Sequence, residues 1–180
     1  MATQIQSDPS NQLTGTLRAI RASLEQAVEG PISTYRSTTR LVGGLRTETE
    51  VGSNVVTTDQ AAPLGEDSGP SPVELVLAAL GACQEVVYGV HARLLGIPLE
   101  SVTVAVEAEI DLRGFFGAAE VPVGFRRVTY TADIRSLASP EQIARLVEVA
   151  DAHCPVSAIL REPVPVESGY VLNGLTPGAV

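Results

Sequence analysis

The chain contains no lysine and no tryptophan, and it has few other aromatics: four Tyr and three Phe in 180 residues. Without lysine there is no Schiff-base nucleophile, no pyridoxal phosphate anchor and no P-loop cation. All 12 cations are arginine, against 21 acidic residues, for a net charge of −9. A chain this acidic, with no cationic cluster, is not expected to bind nucleic acid. Two cysteines and two histidines are present, and a zinc site built from all four is the natural competitor to thiol chemistry. Long hydrophobic runs are absent too. The most apolar stretch, Val73 to Leu95, is interrupted by Glu74, Gln84, Glu85, His91 and Arg93, which argues against a membrane span. Residues 1–12 are polar, and the next stretch carries Arg18, Arg21 and Glu25, so no secretory h-region is read. A cytoplasmic location is expected, where the cysteines start as thiols.

What is present is an ordinary globular composition, 44% apolar and 18% charged, built on Ala, Val, Leu and Ile. Residues 1–12 read as a disordered tail. Leu13, Leu17, Ile20, Leu24 and Val28 then recur at helical spacing, predicting an amphipathic arm that ends near Gly30-Pro31. The division expected is 1–31 as tail and arm and 32–180 as the main domain. Three short antiparallel strands are predicted near 33–41, 45–51 and 54–58, followed by a Gly/Pro loop over 60–72. Pro72 opens a long helix that stops before Gly96-Ile97-Pro98. Apolar residues surround it from Leu75 to Ala82, so this half is expected to be buried on all sides. A small domain cannot easily enclose a helix so completely, and a dimer is one solution.

Ser101 to Leu112 alternates as a half-buried strand, and the segment near 125–134 repeats the pattern. The connection from Arg113 to Gly124 holds Phe115-Phe116, which reads as a hydrophobic cap or a dimer contact. Ser139-Pro140-Glu141-Gln142 gives an N-cap, a first-position proline and a capping box. His153-Cys154-Pro155 ends that helix, a short helix to about Arg161 follows, and a last strand is predicted near 164–172. The fold class is α+β.

The cysteines differ in setting. Cys83 lies on the long helix among Ala79, Leu80, Val86 and Val87, where burial disfavours a thiolate. It is either an inert packing residue or a thiol that needs a cation from another element. Cys154 precedes Pro155 and fits the N-cap of the short helix, where free N–H groups and the dipole favour a thiolate. Cys83 and His91 are eight residues apart on one helix, roughly 12 Å along its axis, and His153 and Cys154 are adjacent. Neither pair chelates a metal well, so no metal site is expected. His91 reads as a solvent-facing helix residue and His153 as an exposed linker residue.

The run Gly69-Pro70-Ser71-Pro72-Val73-Glu74-Leu75-Val76-Leu77-Ala78-Ala79-Leu80-Gly81-Ala82-Cys83 resembles the signature of the OsmC/Ohr family. His153-Cys154-Pro155-Val156-Ser157 is similar to that family's second cysteine motif, at a matching separation. The resemblance covers about residues 33–172. It implies antiparallel sheets wrapped around a long central helix in an intertwined homodimer. It also implies a thiol-dependent peroxidase for organic hydroperoxides, in which Cys83 is oxidised to a sulfenic acid and Cys154 closes a disulfide. An external dihydrolipoyl group or small thiol then restores the pair, with no bound cofactor and no metal. The family's activating arginine is best matched by Arg46, with Arg40 and Arg36 as alternatives, and Glu74 is its expected partner. Val73 stands where the organic-hydroperoxide branch keeps its glutamate. The extra N-terminal helix and the Asp111–Gly117 connection also depart from that branch. The alternative is a non-catalytic protein that holds an apolar ligand in the dimer groove, with the cysteines only packing.

Overall fold

In a computed structural model the described residues are 9–174, with side chains from residue 11. The first eight residues of the expected tail and the last six residues of the chain lie outside this range. Helix α1 (Pro9–Glu25) starts earlier and stops earlier than its periodicity suggests, so residues 9–12 are helical and not part of a disordered tail. Pro9 brings its fixed φ to the helix start. At the other end Ala27 N–H donates to the Leu24 carbonyl at 3.2 Å in a closing turn. Val28 therefore lies off the helical stripe and is fully exposed.

Strands β1 (Ser37–Gly43), β2 (Arg46–Val51) and β3 (Asn54–Thr58) form an antiparallel sheet in that order. Gly44, at φ +54°, supplies the left-handed turn between the first two strands. The loop after β3 is organised by Asp59, a buried residue that no sequence pattern singles out. Its carboxylate accepts N–H bonds from Gln60 at 2.8 Å and from Glu66 and Ser68 at 3.1 Å each. A side chain at Gly65 would strike the Asp59 carboxylate at 2.4 Å, so glycine is required for this close approach. The bond from Ser68, followed by the one from Gln60, holds the Asp59 pKa down to about 2.

Helix α2 (Pro72–Leu95) begins with a complete capping box between Ser71 and Glu74 and ends at Gly96, φ +69°. Strands β4 (Ser101–Ile110) and β5 (Phe125–Arg135) pair antiparallel in a separate two-stranded sheet. Their alternating burial follows the predicted pattern, with Val102, Val104, Val106, Val128, Tyr130, Ala132 and Ile134 turned inward. The connection between them contains a short helix, α3 (Leu112–Phe115), capped by the Asp111 carboxylate. Leu112 therefore leaves the strand expected for it. Phe115 and Phe116 meet edge-on at 5.0 Å, and both are exposed.

Helix α4 (Pro140–Ala152) is opened by the Ser139–Gln142 capping box, and α5 (Pro155–Arg161) follows with Cys154 as its N-cap. The core lies between one face of α2, the β4–β5 sheet and α4, around Leu80, Val87, Tyr88, Ala92 and Leu146.

Two further expectations need correction. The stretch Leu75 to Ala82 is not enclosed by its own chain, because Val76, Ala79 and Ala82 stay exposed, as do Val73 and Val86 on either side. The last strand does not form. Residues 163–168 have no regular structure, and only isolated bridges occur beyond them, at Gly169 and Leu172. A strand needs a ladder of partners along an edge, and among the described residues this segment joins neither sheet.

Because the folded Asp59 pKa lies below the ordinary value of 3.8, its contribution to stability is present above about pH 4 and is lost as pH falls toward 2. Asp59→Asn is expected to remove that acid-dependent limb, measured by far-UV circular dichroism against pH. It is also expected to speed proteolytic cleavage within 60–70 several-fold at neutral pH.

Candidate active site

The two cysteines, 71 positions apart, converge. Cys83 reaches the site from the middle of α2 and packs against the buried cluster that contains Cys154. Cys83 is close enough to act on the Cys154 thiol, and both cysteines are free. Cys154 is 2% exposed, whereas Cys83 is half-buried. Pro155 starts α5 directly after Cys154, which leaves the sulfur to accept the Ser157 N–H at 3.4 Å.

The N-cap position expected for Cys154 is present, but its expected effect on the thiol is outweighed. Burial pushes the Cys154 pKa up, and the neighbouring Cys83 adds to the rise. The Ser157 and Val156 N–H groups oppose this without reversing it. One short helix end offers less stabilisation than the surrounding apolar cluster removes.

A polar chain runs beside the thiols. Gln84, fully buried next to Cys83, donates through Nε2 to the Tyr130 hydroxyl at 3.1 Å. Tyr130 donates to Asp151, which binds both ends of the Arg161 guanidinium at 2.8 and 3.0 Å. Arg161 ends α5, so this chain fixes the helix that begins at Cys154 to α2, β5 and α4. Burial pushes the Tyr130 pKa up to about 12, helped by its bond to Asp151. The Arg161 and Tyr130 bonds hold Asp151 below its usual range. No sequence motif marks these residues, because their contacts join four separate elements.

The other two expected site residues lie elsewhere in the single chain. Arg46, at the start of β2, faces Glu66 at 3.8 Å and lines a cleft of about 450 Å³ with Asp59 and Leu64. Glu74 closes the capping box by accepting the Ser71 N–H at 2.7 Å, which lowers its pKa. Of the alternative arginines, Arg40 pairs with Glu50 at 2.8 Å, and Arg36 precedes β1. Among the described residues none of these arginines has a hydrogen bond to either thiol. The chain thus brings Cys83 to Cys154 but does not bring Arg46 to Glu74.

His91 departs from the solvent-facing reading. It is half-buried, and its ring centroid lies 4.7 Å from that of His153, which is exposed as expected. Burial, then His153 and Arg21, lowers the His91 pKa.

The raised Cys154 pKa has a direct readout. In a Cys83→Ser variant, the pH midpoint for Cys154 alkylation by iodoacetamide is expected above the value of about 8.5 for a free thiol. A midpoint below it would show that the helix end dominates.

A profile of the family described as "OsmC-like protein" matches residues 65–169. No curated protein matches the sequence. Among solved structures, the chain is similar to an OsmC-like protein from Mycoplasma pneumoniae, with a TM-score of 0.64 and 18% identity over 74% of this chain and 91% of that one. It is also similar to an organic hydroperoxide resistance protein OsmC from Legionella pneumophila, with a TM-score of 0.57 and 25% identity over 73% and 91%. A third is an organic hydroperoxide resistance protein from Elizabethkingia anophelis, with a TM-score of 0.56 and 22% identity over 74% and 91%. With 105 of its 180 residues inside the matching profile and both cysteine motifs within that span, the chain belongs to the OsmC-like protein family.

Proposed function

We propose that this protein is a thiol-dependent peroxidase that reduces organic hydroperoxides. The observation that carries the reading is the convergence of two free thiols from separate elements on one buried cluster, one half-buried and the other enclosed. The family membership and the organic hydroperoxide resistance proteins among its structural relatives support it.

The half-buried Cys83 is the group a hydroperoxide reaches, and its thiolate attacks the outer peroxide oxygen. The O–O bond breaks, the alkoxide takes a proton and leaves as an alcohol, and Cys83 becomes a sulfenic acid. Cys154 is held as a protonated thiol beside it. Its sulfur attacks the sulfenic sulfur, its proton leaves with the hydroxyl as water, and the disulfide forms. An external dihydrolipoyl group or small thiol then reduces that disulfide by exchange and is itself oxidised.

The active protein is a homodimer in this reading. The exposed apolar face of α2 and the sparse packing of the β1–β3 sheet on the rest of its own chain support association. Arg46 of the partner subunit then supplies the cation that favours the Cys83 thiolate. Within one chain, the long contact of Arg46 with an exposed Glu66 leaves it freer for this than Arg40, which is held by Glu50.

The test is peptide mass spectrometry after a stoichiometric pulse of tert-butyl hydroperoxide. Wild type is expected to lose two hydrogens in a Cys83–Cys154 linkage, and Cys154→Ser to accumulate a sulfenic acid that dimedone traps. Cys83→Ser is expected to lose peroxide consumption by on the order of 100-fold or more. Unmodified thiols, with an apolar ligand seen by native mass spectrometry, would instead make this a binding protein. Arg46→Ala is expected to slow Cys83 alkylation at pH 7, while Arg40→Ala leaves it unchanged. The reverse pattern would assign activation to Arg40.

A further inference from the structure

The chain has two histidines in all, 62 positions apart, and the fold sets their rings 4.7 Å apart. His91 belongs to the last turns of α2, and His153 caps α4. We propose that His91 and His153 form a two-imidazole site for a borderline divalent ion such as Ni²⁺, Cu²⁺ or Zn²⁺.

The geometry supports this in two ways. A metal about 2.1 Å from one nitrogen of each ring, with a ligand angle near 90–110°, separates the ring centroids by roughly 4.6–5.3 Å, the lower end belonging to angles near 90°. The observed separation falls in that range, and the 46° tilt between the rings differs from a face-to-face stack. In addition, His153 Nδ1 lies 2.8 Å from the Val149 carbonyl. A carbonyl can only accept, so Nδ1 carries the hydrogen and Nε2 keeps its lone pair for a ligand. Metal-binding histidines are commonly oriented by such a bond.

The surroundings fit the same class of ion. His91 is half-buried beside His153, and imidazole in its neutral form is the ligating species. The opposing charge is Arg21 of α1, whose guanidinium is paired with Glu25 at 2.8 Å. Among the described residues no cluster of three or more metal-binding side chains occurs. Water therefore completes the coordination, and imidazole ligands favour these ions over Mg²⁺ or Ca²⁺. A bound ion would join α2 to the end of α4, immediately before Cys154.

The thiols must be removed to test the site, because they also bind such metals. The full-length, tag-free Cys83→Ser/Cys154→Ser protein is titrated with Ni²⁺ and Zn²⁺ by calorimetry and with Cu²⁺ by electron paramagnetic resonance. One ion per chain is expected, with a Kd of about 1–100 μM and nitrogen hyperfine structure in the copper spectrum. Adding His91→Gln or His153→Gln is expected to weaken binding at least 10-fold while leaving the circular dichroism spectrum unchanged. Binding that survives both histidine substitutions, or none tighter than about 1 mM in the parent, would overturn the proposal. Neither result bears on the peroxidase reading.

Discussion

Helix α2 is apolar around most of its circumference, but its own chain covers only one side, and much of the architecture follows from that constraint. The covered side carries Leu80, Val87 and Ala92 onto the β4–β5 sheet and α4. Each large side chain removed from water there contributes about 1.5–3 kcal/mol. The other side leaves a run of valines and alanines facing outward. Cys83 lies between these environments, with partial access on one flank and the enclosed Cys154 on the other.

Close packing alone does not determine where Cys154 sits. The chain from Gln84 through Tyr130 and Asp151 to Arg161 ties α5 to three other elements by hydrogen bonds. It carries one unmet demand: among the described residues the buried Gln84 Oε1 has no partner. An unsatisfied buried acceptor costs about 1–3 kcal/mol. Such a network leaves fewer arrangements open to the residues beside the thiols, which suits the proposed peroxidase site, where two sulfurs must meet.

Much of this organisation is legible in the sequence where local chemistry decides structure. The capping residues Ser71 and Ser139 start the two longer core helices, Gly96 ends α2, and alternation identifies β4 and β5. The cysteine pairing comes from family resemblance, since spacing alone leaves Cys83 open to an inert reading. Features that depend on distant contacts are hidden. Asp59 matters only once its loop closes around it, and the two histidines meet only when α4 packs on α2. Residues 164–172 have strand-like composition, but a strand also requires an edge to join. The N-cap reading of Cys154 is right in position and incomplete in energy, because the depth of burial cannot be read from a cap motif.

The two small sheets have a further consequence. Among the described residues, each ends in outer strands with a neighbouring strand on one side only. Exposed strand edges are templates for other strands. If the proposed homodimer forms, a lone copy has to avoid indiscriminate edge pairing until its partner arrives. Its lifetime in the cell would then depend on how much of it is made and how quickly copies meet, as well as on its intrinsic stability.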